Sequence, residues 1–169
     1  MPENNPKADG ATTPGAQRGS GVPPPLTRGA VRRVVLDTNV AIDYLDSARP
    51  AHRAAVDLLT ALIAAGVEVC LAATSLKDIY YLVTPTAGEA RARQAVKAFT
   101  QAFTILPIDA DVCTKALASD EPDFEDGLIR ACAEAVKADW IVTRDAAAFT
   151  RSPVPKADSA ALAATLRPS

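Results

Sequence analysis

Short, mostly apolar runs alternate along this chain with longer stretches in which apolar residues recur every three or four positions. The runs at 34–36, 67–72, 103–108 and 140–143 are rich in β-branched residues, a pattern typical of strands buried on both faces. Strands that alternate with helices form parallel sheets joined by right-handed crossovers. The pattern therefore predicts an α/β fold in which helices cover both faces of a central parallel sheet.

The periodic stretches predict where the helices begin and end. We expect one helix from Ala51 to Ala65, ending at Gly66, and another from Ser75 to Val83, stopped before Pro85. Further helices are predicted over 87–103, 110–118, 123–137 and 159–166, and a candidate edge strand over 153–155.

Residues 1–29 differ in composition from the rest of the chain. They are rich in Pro, Gly, Ser, Thr and Asn and contain almost no large apolar side chain. Such a segment cannot bury enough apolar surface to offset its ordering entropy, so we expect a disordered N-terminal tail. The remaining residues, 30–169, are enough for one domain with one core.

The overall charge gives no sign of a nucleic-acid partner. Lys and Arg number 18 against 20 Asp and Glu, for a net charge of −2, so a nucleic-acid substrate must be argued from a local site. The three cysteines are far apart in apolar segments and are expected to be reduced core residues. With no apolar run of about 18 residues and no signal-peptide pattern, we expect a cytoplasmic protein without a membrane span.

Four aspartates are predicted to approach one edge of the sheet. Asp37 directly follows the run at 34–36, and Asp145 follows the run at 140–143. If those two strands are neighbours, they lie ~4.8 Å apart. Asp78 and Asp126 lie in helices next to the predicted strands and can approach the same edge, where parallel sheets bind their ligands.

Four converging carboxylates require a cation. They would repel one another and raise one another's pKa unless a positive charge neutralised them. Oxygen ligands without a nearby His or Cys set favour a hard ion, Mg²⁺ or Mn²⁺. Such an ion can activate a water molecule and shield the charge of a phosphate, so the pattern indicates metal-assisted phosphodiester hydrolysis with water as the nucleophile.

Each carboxylate also has a purely structural interpretation. Asp37 and Asp123 could each cap the helix that follows, and Asp126 could be present because it complements the helix dipole. Asp78, beside Lys77, could belong to an exposed helix face, and Asp145 could cap a short turn that leads to Phe149. Independent caps give no reason for the aspartates to reach one edge, so the joint pattern favours a site.

Three segments carry a resemblance to a known family. Residues 34–39 (VVLDTN) resemble the opening motif of PIN domains, and residues 123–128 (DFEDGL) followed by 141–145 (IVTRD) resemble their third and fourth acidic motifs. The match runs from about 31 to 166. The resemblance implies a doubly wound α/β/α sandwich that holds Mg²⁺ or Mn²⁺ and cleaves single-stranded or structured RNA.

The resemblance also implies roles for individual residues and partners. The catalytic residues and metal ligands it implies are Asp37, Asp78, Asp126 and Asp145. The supporting residues it implies are Asn39, Thr143 and Asp123. Arg144 is the candidate for substrate binding because it is next to Asp145, and this prediction does not depend on the resemblance. The most similar bacterial members are VapC-like toxins of type II toxin–antitoxin pairs, so a cognate antitoxin protein and a homodimer are expected.

The sequence departs from the family pattern at two positions. Asp78 stands where the family usually has Glu, so its shorter side chain could reach the metal through a water molecule. Gly127 stands where relatives commonly have Ala, at a cost of ~1 kcal/mol inside a helix and less near its start.

Two other classes of protein remain open at this point. A phosphoacceptor receiver or aspartate-nucleophile phosphatase also places carboxylates at strand ends, but the Asp-x-Asp form of such phosphatases is absent at 37–39. A non-catalytic PIN-like module that binds RNA or protein would keep the fold and lose cleavage.

Overall fold

The structure is a computed structural model that describes residues 31–166. The predicted tail at 1–29 lies outside the described residues. Within the described part, the strands are β1 (Arg33–Leu36), β2 (Glu68–Ala72), β3 (Thr104–Leu106), β4 (Trp140–Val142) and β5 (Lys156–Ala157). The helices are α1 (Thr38–Leu45), α2 (His52–Ala64), α3 (Ala73–Ala87), α4 (Glu89–Ala102), α5 (Ala110–Leu117), α6 (Phe124–Ala135) and α7 (Ser159–Leu166).

The five strands form one parallel sheet in the order β3-β2-β1-β4-β5. The chain builds outward from β1 through β2 to β3, and then returns to add β4 and β5 on the other side. The direction of the strand order therefore reverses between β1 and β4. In open parallel sheets, a crevice suited to ligands forms at such a reversal, outside the carboxyl ends of the two strands.

Two hydrophobic clusters cover the two faces of the sheet. Val34 of β1 packs in one cluster with Leu58 of α2 and Leu162 of α7, whereas Val35 packs in the other with Ile129 of α6. Successive side chains of a strand point to opposite faces, so both faces of β1 are buried. This layered arrangement confirms the predicted α/β/α sandwich with a central parallel sheet.

Two predicted element boundaries are wrong. Helix α3 does not stop before Pro85 but continues to Ala87. The proline lies in the last turn, where it removes one hydrogen bond, and the N–H of Gly88 still closes the helix on the carbonyl of Thr84 at 2.9 Å.

The edge strand is β5, at 156–157, and not the predicted 153–155. The prolines at 153 and 155 have no N–H to donate to a ladder. The carbonyl of Pro155 does accept from the N–H of Ile141 at 2.9 Å, so pairing with β4 begins there and the strand itself follows.

The three cysteines are free, as predicted, and Cys70 and Cys132 are buried. Among residues 31–166, no helix is both long enough and apolar enough to cross a membrane.

Candidate active site

The ends of β1 and β4 bring the first and fourth sequence motifs together. The two strands are direct neighbours, with Leu36 paired to Val142. One residue further, the N–H of Asp37 donates to the carbonyl of Val142 at 2.9 Å. The condition on which the sequence argument depended, that these strands be adjacent, is therefore met, and the motifs meet where the strand order reverses.

Asp37 is a buried carboxylate with fixed hydrogen-bond donors. Its side chain is 5% exposed. The Thr143 hydroxyl and the Asn39 side-chain amide each donate to its Oδ2 atom at 2.6 Å. Burial raises the pKa of Asp37, the charge of Glu125 raises it further, and the hydrogen bonds from Thr143 and Asn39 lower it. Asp37 also caps α1, as its structural interpretation predicted, and the same carboxylate faces the cleft described below.

Thr143 extends this arrangement to Asp145. Its hydroxyl oxygen accepts from the N–H of Asp145 at 2.9 Å. The exposed Asp145 carboxylate accepts in turn from the N–H groups of Ala147 and Ala148, and these bonds lower its pKa. Asp145 is therefore ionised at neutral pH, at the open side of the site.

The start of α6 contributes the third motif. Asp123 caps the helix by accepting from the N–H of Asp126 at 2.9 Å, as its structural interpretation predicted. Partial burial, followed by the charges of Asp123, Asp37 and Asp145, raises the pKa of Asp126 to about 7. The carboxylates of the first and fourth motifs are thus close enough to Asp126 to disfavour its ionisation.

Asp78 and Arg144 lie at the same place but have other partners. Asp78 reaches the site from α3, and its carboxylate lies 3.0 Å from the Lys77 ammonium. Arg144, which is 47% exposed, lies 3.5 Å from the buried Asp43 carboxylate.

The predicted site residues line one open cleft of about 350 Å³, with the exception of Thr143. Thr143 is buried and contacts the cleft through its hydrogen bond to Asp37. Among residues 31–166, the lining consists of Asp37, Thr38, Asn39, Ile42, Arg49, Asp78, Asp123, Glu125, Asp126, Arg144 and Asp145.

Sequence reasoning missed several residues of this cleft. The Thr38 hydroxyl donates to the Glu125 carboxylate at 2.8 Å and lies 2.7 Å from the buried Ser75 hydroxyl. These two contacts join the first turns of α1, α3 and α6. Glu125 could have been found, because it lies in the same acidic segment as Asp126. Arg49 lies in the α1–α2 connection, and its partner Asp43 lies in α1. No local sequence motif marks either residue.

The donor chemistry of the cleft fits a hard divalent cation. The candidate ligands are carboxylate and amide oxygens, and no His or Cys belongs to the lining that the described residues form. The Asn39 Oδ1 atom is buried and accepts no hydrogen bond from the part of the chain described. Within residues 31–166, however, no three Asp, Glu, His or Cys side chains are close enough together to form a complete metal site. The ligands would have to move inward around an ion.

Fold and site together define a doubly wound α/β/α protein with an acidic cleft at its strand-order reversal. The family model of the PIN domain matches residues 33–147. The chain belongs to the PIN domain family, which confirms the resemblance drawn from its motifs. A comparison with curated proteins finds no match.

Solved structures of the same fold come from bacterial toxin–antitoxin systems. The chain is similar to VapBC2 from Rickettsia felis bound to a promoter DNA fragment, at 17% identity over 75% of this chain and 98% of that chain, with a TM-score of 0.58. It is similar to a toxin–antitoxin complex from Klebsiella pneumoniae, at 22% identity over 75% and 97%, with a TM-score of 0.58. VapC20 of Mycobacterium tuberculosis, a sarcin-ricin loop cleaving toxin, matches at 16% identity over 64% and 86%, with a TM-score of 0.53.

Proposed function

We propose that residues 30–169 form a metal-dependent endoribonuclease that hydrolyses RNA phosphodiester bonds. The observation that carries this proposal is that Asp37, Asp126 and Asp145 line one cleft, in which burial and then the charges of Asp123, Asp37 and Asp145 raise the pKa of Asp126 to about 7. Carboxylates that oppose one another's charge gain a favourable partner when a cation binds between them.

The residues of the cleft would have two roles, metal binding and support of the metal ligands. Asp37, Asp126 and Asp145 would hold Mg²⁺ or Mn²⁺, and Asp78 would complete the site directly or through a water molecule. When bound, such an ion lowers the pKa of a water molecule and offsets the charge of the phosphate. Thr143 and Asn39 hold the Asp37 carboxylate in one orientation, and Asp123 fixes the N-terminus of α6 below Asp126.

The biological setting is proposed from the relatives. The similar structures include complexes of toxin with antitoxin, and one of these proteins is a sarcin-ricin loop cleaving toxin. We therefore propose that this chain is the toxin of a type II pair, acts as a homodimer on single-stranded or structured RNA, and is inhibited by a cognate antitoxin protein.

Cleavage of labelled RNAs by purified protein tests the proposal. The reactions contain Mg²⁺, Mn²⁺ or EDTA and are repeated with Asp37→Asn, which keeps the size of the side chain and removes its charge. We expect cutting that requires a metal and disappears in the variant. The proposal is contradicted if the folded wild type cuts none of these RNAs with Mg²⁺ or Mn²⁺, or if the purified wild type and Asp37→Asn cut them at the same rate.

A second candidate function is a PIN-like module that binds RNA or protein without cleaving. It is favoured by the pairing of Asp78 with Lys77 and by the separation of the acidic side chains within the described residues. It predicts that the wild type and Asp37→Asn bind RNA or a partner protein with equal affinity. It also predicts that the wild type cleaves no RNA with Mg²⁺ or Mn²⁺.

A further inference from the structure

A buried carboxylate next to the cleft is shared by two arginines. Asp43 of α1 is 2% exposed. Its Oδ1 atom lies 2.5 Å from Nε of Arg49, and its Oδ2 atom lies 3.5 Å from Nε of Arg144. A buried charge is costly unless it is paired, and here each oxygen faces a different guanidinium group. Asp43 thus ties the α1–α2 connection to the segment that follows β4.

The backbone holds both arginines in place. In the α1–α2 connection, the N–H of Arg49 donates to the carbonyl of Asp46 at 3.1 Å, and the carbonyl of Arg49 accepts from the N–H of His52 at 3.0 Å. The His52 ring bonds to the carbonyl of Asp43 at 2.9 Å. Arg144 directly follows Thr143, which is itself bonded to Asp37. Both side chains therefore start from fixed positions beside the acidic cleft.

The two guanidinium groups keep their terminal nitrogens available. Each approaches Asp43 through Nε, and among residues 31–166 neither has another hydrogen-bond or ion-pair partner. They are also the cationic side chains in the described lining of the cleft, beside six acidic ones. A polyanion that approaches the acidic residues therefore meets favourable charge at Arg49 and Arg144, whose forked donors suit phosphate oxygens.

We propose that Arg49 and Arg144 form a phosphate-binding subsite for the RNA strand, and that Asp43 is the positioning residue that holds both guanidinium groups. This inference rests on the proposed function and adds to it the place where the RNA backbone is held. A loop-fastening role would account for the Asp43–Arg49 pair alone. It gives no reason for the half-exposed Arg144, from another connection, to face the same carboxylate.

Binding of a fluorescent single-stranded RNA tests the subsite separately from cleavage. Dissociation constants are measured in Ca²⁺ on ice, with the RNA checked by gel to be intact, for the wild type, Arg49→Gln and Arg144→Gln. Arg91→Gln is the matched control, because Arg91 is an exposed residue of α4 outside the cleft and its loss changes the net charge equally. We expect about tenfold weaker binding for each cleft variant. The slope of log affinity against log salt should fall by ~0.7 for each lost phosphate contact.

Asp43→Asn separates positioning from overall charge. The substitution removes a negative charge, so general electrostatics predicts tighter RNA binding. If Asp43 positions the arginines, binding instead weakens and the KM of cleavage rises with little change in kcat. Circular dichroism establishes that the variant is folded. Should it fail to fold, Arg49→Lys and Arg144→Lys test whether the held guanidinium fork matters beyond its charge, because Lys keeps the charge and loses the fork. We expect each Lys variant to bind RNA more weakly than the wild type and more tightly than the Gln variant; affinity equal to that of the wild type would overturn the subsite.

The outcomes separate the subsite from the proposed function. If the wild type cleaves RNA while the arginine variants keep its affinity, KM and salt slope, the subsite is wrong and the nuclease stands. If binding depends on the arginines but the wild type cuts no RNA with Mg²⁺ or Mn²⁺, the subsite is supported and the nuclease proposal is overturned. Equal losses in Arg91→Gln would also overturn the subsite.

Discussion

The hydroxyl of Thr143 donates to the Asp37 carboxylate at 2.6 Å, and its oxygen accepts from the N–H of Asp145 at 2.9 Å. One buried side chain thus connects the ends of two neighbouring strands and the two aspartates that follow them. A ligand that needs both carboxylates depends on this hydroxyl, although the hydroxyl need not touch the ligand.

Thr143→Val should weaken metal binding while keeping the shape of the side chain. The substitution leaves Asp37 with one donor fewer in a buried position and frees the N–H of Asp145. Loss of such a supporting group typically costs 10- to 100-fold in metal affinity, and we expect about tenfold for Mn²⁺ by isothermal titration calorimetry. Thr143→Ser keeps the hydroxyl and should bind Mn²⁺ like the wild type. Equal affinities of the Val and Ser variants would contradict the role of this hydrogen bond.

Asp126 should make the metal-free protein less stable as the pH rises. Its pKa is raised from 3.8 to about 7, by burial first and then by Asp123, Asp37 and Asp145, so the folded state holds this proton more tightly than the unfolded state. The stability that it contributes is present below about pH 4 and is lost as the pH rises to about 7.

Urea unfolding in EDTA between pH 4 and pH 8 measures this effect. Asp126→Asn, which does not titrate, should show a flatter pH dependence and should be more stable than the wild type at pH 8. A variant that is less stable than the wild type at pH 8 would show that burial and the neighbouring carboxylates do not oppose the charge of Asp126.

Gly127→Ala should destabilise the fold although Ala is the better helix former. A Cβ atom at this position would lie 2.8 Å from the carbonyl oxygen of Ala116 and 2.9 Å from the Ser119 hydroxyl. The backbone carbonyl cannot move without shifting α5, so we expect a loss of ~1–3 kcal/mol in the free energy of unfolding. The double variant with Ser119→Ala should recover part of it. An unchanged or raised free energy of unfolding in Gly127→Ala would contradict the close approach of α6 to α5 at this residue.

Sequence patterns predicted the parts of the site that follow from strand ends. Asp37 and Asp145 come directly after buried strands, and parallel strands bring their carboxyl ends to one edge whatever the details of packing. The close approach at Gly127 could not be predicted, because the sequence shows only a helix with an unfavourable residue. The contact that makes glycine necessary belongs to α5.

The missed residues depend on contacts between segments far apart in the chain. Asp43 was missed because its partner Arg144, itself a predicted site residue, lies 101 positions further along the chain. The two meet only where α1 lies beside the segment that follows β4. Thr38, Ser75 and Glu125 meet for the same reason, since three helices begin at one point of the sheet edge. The extension of α3 past Pro85 was missed because a proline in the last turn costs less than one in the middle.

Cleavage and metal binding measured together test the central claim most directly. The rate of RNA cleavage and the binding of Mn²⁺ are followed over the same Mn²⁺ concentrations, for the wild type, for Asp126→Asn, and for Asp111→Asn as a control on the exposed side of α5. The account predicts that rate and binding rise together in the wild type and the control, and that both are lost in Asp126→Asn. Cleavage that proceeds in Asp126→Asn at the rate of the wild type, or that rises without Mn²⁺ binding, would contradict it.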